Sequence, residues 1–98
     1  MKLILSSDAK EDLQNISDHT YHNWGVEKEV AYLKSIYKRF DEIKTEPHRW
    51  KRRDDLFLNC QSVPVGKHII FLIILEDQIL ISRILHEAMD IPAQFLPV

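Results

Sequence analysis

The 98-residue chain holds one cysteine, two glycines and no tract of repeated or low-complexity sequence. A single cysteine, Cys60, excludes an internal disulfide and suits a reducing compartment, where a lone thiol most often serves as a small buried hydrophobe. With only Gly25 and Gly66 there is no glycine-rich loop to cradle phosphates. Neither sign of charge is in excess: 13 Lys and Arg stand against 15 Asp and Glu, a formal net charge of −2. No global pull toward nucleic acid follows, and any basic surface must be local. The apolar run at the start, MKLIL, is too short for a signal peptide or a membrane span, and charges follow it at once. A hydrophobic fraction of 45% and a charged fraction of 29% leave an ordinary globular protein, expected to be one domain over residues 1–98, soluble and cytoplasmic.

What is present centres on Lys67 to Asp90, KHIIFLIILEDQILISRILHEAMD. Ile69 to Leu75 is an unbroken apolar run, Glu76-Asp77-Gln78 a polar turn, and Ile79 to Leu85 is apolar except at Ser82 and Arg83. Runs of this length, rich in Ile and bounded by polar residues, predict a β-hairpin. A strand with one wet face should alternate, because successive side chains point to opposite sides. This one does not: Ile69, Phe71, Ile73 and Leu75 share one face while Ile70, Leu72 and Ile74 share the other. Helices can cover one face; the chain's own tail or another molecule must cover the second.

Upstream, Leu3 to Ser6 is a candidate strand that ends at a helix start. Asp8 and Glu11 have the spacing of a capping box, with Ser7 the alternative cap. Ala9, Leu13, Ile16 and Thr20 recur at helical spacing toward Trp24, and Gly25 ends the helix. Val30, Leu33, Ile36, Tyr37, Phe40 and Ile43 mark the apolar face of a second helix, closed by Pro47. The segment HRWKRRDDL, residues 48–56, offers two readings: a phosphate grip with Trp50 as stacking platform, or a solvated connection neutralised by Asp54 and Asp55. Leu56 to Cys60 reads as the next strand, SVPVG as the turn into the hairpin, and IPAQFLPV as an extended, packed tail. The order predicts an α+β fold, β-α-α-β-β-β, with a helical hairpin on a small, mainly antiparallel sheet.

For chemistry, His19 and His22 sit three apart but lack a completing ligand set, so neither metal nor cofactor is expected. Lys67, His68, Arg83 and His86 flank the central hairpin, and closure at Glu76-Asp77-Gln78 brings His68 near Leu85 or His86. Such a cationic cluster suits phosphate binding or acid–base work. Arg83 falls on the strand face of Ile79, Ile81 and Leu85, where a charge wants a partner, with Glu87 or Asp90 the nearby acids.

The run RILHEAMD, Arg83 to Asp90, after an apolar strand and after GKHIIF at Gly66 to Phe71, resembles the ParE toxins of the RelE/ParE superfamily. The similarity extends over nearly the whole chain, through A-x-x-D-L at Ala9 to Leu13, the Trp24-Gly25 pair, Tyr32 and Pro47. It implies a toxin of a type II toxin–antitoxin module, a plasmid-stabilising or growth-arresting system, whose constant partner is a cognate antitoxin, usually of ribbon-helix-helix type. It also implies DNA gyrase as target, trapped on cleaved DNA without any substrate being processed, and no membrane or sequence-specific nucleic-acid partner. A toxin dimer or a hetero-oligomer with the antitoxin is compatible with the family. The residues carried over as target- or partner-binding are Lys67, His68, Leu72, Arg83, His86, Met89 and Asp90. The superfamily's other branch cuts mRNA on the ribosome. Here that alternative would rest on His68, Arg83 and His86, because no Lys, Arg, His or Tyr follows His86 and FLNCQ carries no basic residue. A non-toxic antitoxin-binding module is the third reading. It is raised by Gln61 where ParE toxins often have arginine, Leu72 where an aromatic is usual, Ile73 where a polar or basic residue is usual, and Trp50 where glycine is usual.

Overall fold

The computed structural model describes residues 1–96. The chain forms β1 (Lys2–Leu5), α1 (Ser7–Trp24), α2 (Val26–Thr45), β2 (Lys51–Arg52), β3 (Gln61–Val65), β4 (His68–Leu75), β5 (Gln78–His86) and a single 3-10 turn at Pro92–Phe95. The sheet order is β1-β5-β4-β3-β2; β1 runs parallel to β5 and every other pairing is antiparallel. The expected fold class is thus the observed one, with the two-residue β2 as an additional edge.

The cap of α1 is Ser6, two residues before the Asp8 of the capping-box spacing and one before the alternative, Ser7. Ser6 Oγ accepts from the Ala9 N–H at 3.0 Å while donating to the Ser82 carbonyl at 2.7 Å, so one hydroxyl starts the helix and pins it to β5. Gly25, at φ 87°, ends α1 by donating its N–H to the Tyr21 carbonyl, and its own carbonyl accepts from Glu29 at the start of α2. A side chain there would be strained, which is why a glycine joins the helices. Ala9, Ile16, Ile36, Phe40 and Ile43 bury against Val63, Val65, Ile70, Leu72, Ile79, Ile81 and Ile84. Val30 and Tyr37, expected on that apolar face, are 44% and 54% exposed. A helix of 20 residues outruns the five-residue strand β3 beneath it. Tyr32 already sits over the β3–β4 turn, so the first turns of α2, Val30 among them, overhang the sheet, while Tyr37 lies beside the buried Ile36 and meets Phe40 edge to face.

The strand expected at Leu56–Cys60 is instead a series of turns, and the strand is Gln61–Val65. Asp54 accepts the Asn59 N–H at 2.7 Å, Asn59 adopts φ 66°, and the Cys60 N–H bonds back to the Phe57 carbonyl. Leu56, Phe57 and Cys60 fold under the sheet and join Ile69, Phe71, Leu85, Ile91 and Phe95 in a second core on the face away from the helices. Pro64 is tolerated in β3 because β2 pairs only with Gln61 and Ser62, so its missing N–H falls beyond the last rung. The tail is a 3-10 turn rather than extended, though Ile91 and Phe95 do pack against the second core. The expectation for Pro97 and Val98 lies outside the described residues.

Register slips once, where Phe71 stands opposite Arg83 and Leu72 opposite Ile81. Ser82 is the extra residue, and its hydroxyl donates to the Phe71 carbonyl at 3.1 Å. The bulge takes Arg83 off the face of Ile79 and Ile81, correcting the assignment read from simple alternation. Leu85 also parts from those two and enters the second core.

Candidate functional site

Beyond Leu5, β1 leaves the sheet for α1, so the second half of β5 has an open edge. Asp12 of α1 closes it. Its carboxylate accepts the Ile84 N–H at 2.9 Å and both Arg83 Nε and an Arg83 terminal nitrogen, at 2.8 and 2.9 Å. Arg83 is therefore paired, but with Asp12 and not with Glu87 or Asp90. The fork-to-carboxylate geometry holds the guanidinium above its ordinary pKa range. Asp12 is not among the expected site residues, and its signal in the sequence is an acid beside the Ala9, Leu13, Ile16 stripe.

At the far end of the hairpin His68 pairs with His86, one of the two partners expected from closure at the Glu76 turn, the slip at Ser82 having carried it one residue past Leu85. Their rings meet edge to face with centroids 5.2 Å apart. His68 Nδ1 lies 2.6 Å from the Tyr32 hydroxyl, which also accepts the Lys67 N–H at 3.0 Å. Burial, then the neighbouring His86 and His19, push the His68 imidazole down to about 4, so it is neutral at physiological pH. The Tyr32 hydroxyl has two acceptors in reach, His68 Nδ1 and, farther off, the Val65 carbonyl at 3.3 Å; donation along the shorter contact is the arrangement that leaves the His68 proton on Nε2. His86 Nδ1 accepts from the Ala88 N–H at 3.0 Å, which leaves the same nitrogen, Nε2, to carry its proton. Burial raises the Tyr32 phenol, so the hydroxyl stays protonated and able to donate.

These groups border a groove of about 690 Å³ between the end of α1, the start of α2 and the β3–β4 turn. Trp24, Lys28 and Lys67 stand at it with Tyr32, His68 and His86. A second hollow of about 380 Å³ brings Arg83, His68, His86 and Met89 together. Of the residues expected to bind a partner, Lys67, His86, Met89 and Asp90 are exposed and His68 is partly so. Leu72 is wholly buried beneath the helices and is corrected to a core residue. Lys67 Nζ lies 3.9 Å from Glu87, a loose surface pair.

The 48–56 segment takes its solvated reading. Arg52 pairs with Asp54 and Arg53 with Asp55, at 2.8 and 3.0 Å, and Trp50 packs on the main core with the Arg49 guanidinium 4.4 Å from its ring centroid. Gln61, in place of arginine, is buried and donates to the Pro47 and Trp50 carbonyls, so it anchors this connection. Cys60 is buried, and desolvation pushes its thiol up to about 11, which makes it inert. Among the described residues no group of three His, Cys, Asp or Glu is placed to hold a metal.

A helical hairpin laid on a five-stranded mixed sheet, with a histidine-bearing groove at the open end of its last hairpin, defines a small two-layer α+β protein. The same architecture occurs in a solved structure described as a chromosomal ParDE TA system from P. aeruginosa, with a TM-score of 0.77 at 19% identity, covering 88% of this chain and 95% of that one. The chain belongs to the family of ParE toxins of the type II toxin–antitoxin system, parDE, whose model matches residues 3–91. Toxin ParE1 of Mycobacterium tuberculosis is 29% identical over 91 residues, 92% of this chain and 93% of the relative. Toxin ParE1 of Caulobacter vibrioides is 27% identical over 86 residues, 88% of each.

Proposed function

We propose that this ParE-family toxin acts by binding DNA gyrase and trapping its cleaved-DNA complex, without catalysing a reaction, and that a cognate antitoxin of ribbon-helix-helix type neutralises it. Such a target places the protein in the cytoplasm. The observation that carries the non-catalytic reading is the use already made of every acid–base candidate. Arg83 is clamped by Asp12, and both imidazoles have Nδ1 occupied. With Nδ1 accepting from the Ala88 N–H at His86 and along the short Tyr32 contact at His68, each neutral ring presents Nε2–H, a donor, and is not poised to accept the ribose hydroxyl proton that RNA cleavage requires. The exposed Lys67, His86, Met89 and Asp90 are the residues we assign to partner contact.

The test is supercoiling by purified gyrase with and without this protein, run beside ribosome-dependent mRNA cleavage with the same preparation. Lost supercoiling with accumulating linear DNA, and intact mRNA, is the expected result. Cleaved mRNA with untouched gyrase would overturn the proposal in favour of a nuclease using His68 and His86. Inactivity in both assays, with tight antitoxin binding, would leave a non-toxic binding module.

A further inference from the structure

The groove beside Tyr32 gathers groups suited to a small anionic ligand, two of which, Lys67 and His86, are also assigned above to partner contact. None of its lining residues is an Asp or Glu, in a chain whose formal net charge is −2. Lys28 and Lys67 supply two cations from opposite elements, α2 and the β3–β4 turn. The acids beside the groove are Glu87, loosely paired with Lys67, and Asp12, which lines the adjoining hollow and is held by Arg83. His68 and His86, fixed at Nδ1 by Tyr32 and by the Ala88 N–H, each keep an Nε2 with no protein partner. Two fixed N–H donors with two lysines and no acid describe a site for an oxyanion. No arginine lines the groove, so the planar fork suited to a carboxylate is missing, whereas lysine point charges beside two neighbouring imidazoles suit a phosphate's three terminal oxygens.

The rest of the wall mixes the polar His19, Thr20 and Ser35 with aromatic and aliphatic surface. Trp24, 70% exposed at the last residue of α1, stands at the groove outside both cores, and Ala31 and the half-buried Tyr32 border it. A volume of about 690 Å³ holds a ligand of drug-like size. We propose that this groove binds a phosphate monoester joined to a flat ring system, a nucleotide being the class, with the phosphate met by His68, His86, Lys28 and Lys67 and the ring laid on Trp24.

NMR titration of the full chain with inorganic phosphate and, separately, with adenosine 5′-monophosphate tests this. The nucleotide should shift the His68 and His86 imidazole signals and the Trp24 indole N–H together. Inorganic phosphate should shift the imidazoles alone, and more weakly. His86→Phe keeps a ring in the edge-to-face pair but removes the donor, and should weaken binding of both ligands at least about tenfold. Trp24→Ala should weaken the nucleotide alone, and its exposure lets the protein fold unchanged. Absence of imidazole shifts at millimolar ligand overturns the proposal, as do shifts that survive His86→Phe. Binding of an acidic peptide in place of either phosphate would overturn it too, giving the groove to carboxylates. Because the readout is ligand binding, failure here leaves gyrase inhibition standing, and loss of gyrase inhibition leaves this site standing.

Discussion

At the scale of single residues, Asp12 and Arg83 decide how β5 is held. Both are largely buried, and the carboxylate satisfies a backbone N–H as well as the guanidinium. Removing one partner strands the other, so Arg83→Ala and Asp12→Ala should each cost about 3 kcal/mol, read as a fall in Tm of more than about 10 °C. Asp12→Asn, which can still accept the Ile84 N–H, should cost less than Asp12→Ala. An unchanged Tm for Arg83→Ala would mark the arginine as a contact residue and not a structural one. His68 sets a second expectation. Its ordinary value of 6.5 applies to the unfolded chain and about 4 to the fold, so between those values the unfolded state binds more protons. The contribution is therefore complete above about pH 6.5 and declines as pH falls toward about 4. Discounted for the partial exposure of the ring, the loss is about 1–2 kcal/mol. Urea unfolding at about pH 7.5 and about pH 4.5 should show it, and His68→Phe should remove that part of the slope. His86 and His19 oppose the charged form, Asp12 and Glu87 favour it, so changing the histidines should raise the His68 value.

At the scale of elements, the β3–β4 turn is bolted to α2 by one tyrosine. Gly66 adopts φ +55°, and a Cβ there would lie 2.6 Å from Tyr32 Cε1 and from its hydroxyl. Gly66→Ala should thus cost about 2 kcal/mol or more by thermal unfolding, from the left-handed backbone and from displacing the ring. No loss would mean that the Tyr32 contact is slack. Elements also show where sequence reading succeeds and stops. The approach of His68 to Leu85 or His86 was legible because a short polar turn between two apolar runs sets hairpin register, but the choice of His86 was not, since the turn alone would pair His68 with Leu85 and the slip at Ser82 moves it on by one. The position of β3 was not, because Pro64 argues against a strand unless the neighbouring edge is known to end first. The bulge at Ser82 was invisible as well, since a one-residue slip leaves no mark in an apolar run. Arg83 wanted a partner on any reading, but a partner 71 positions away is chosen by the packing of α1 on β5, which no local pattern encodes.

At the scale of the molecule, both answers to the two-faced hairpin hold in part. The helices cover Ile70, Leu72 and Ile74, while the turns at 56–60 and the tail from Ile91 cover Ile69, Phe71 and Leu85. That second cover reaches only part of the sheet, and Leu75 stays 42% exposed near the hairpin tip. The parallel pairing of β1 with β5 has a consequence in time. Lys2 finds its neighbour only when Gln78 exists, so the sheet cannot close while the chain is being made. At about 5–20 residues per second a ribosome needs roughly 4–15 s to supply that stretch. Through that interval the first strand waits without its neighbour. A message broken before the codon for Gln78 can yield only a fragment that lacks β5 and the Arg83 clamp, so synthesis itself delays the moment at which a folded toxin first exists.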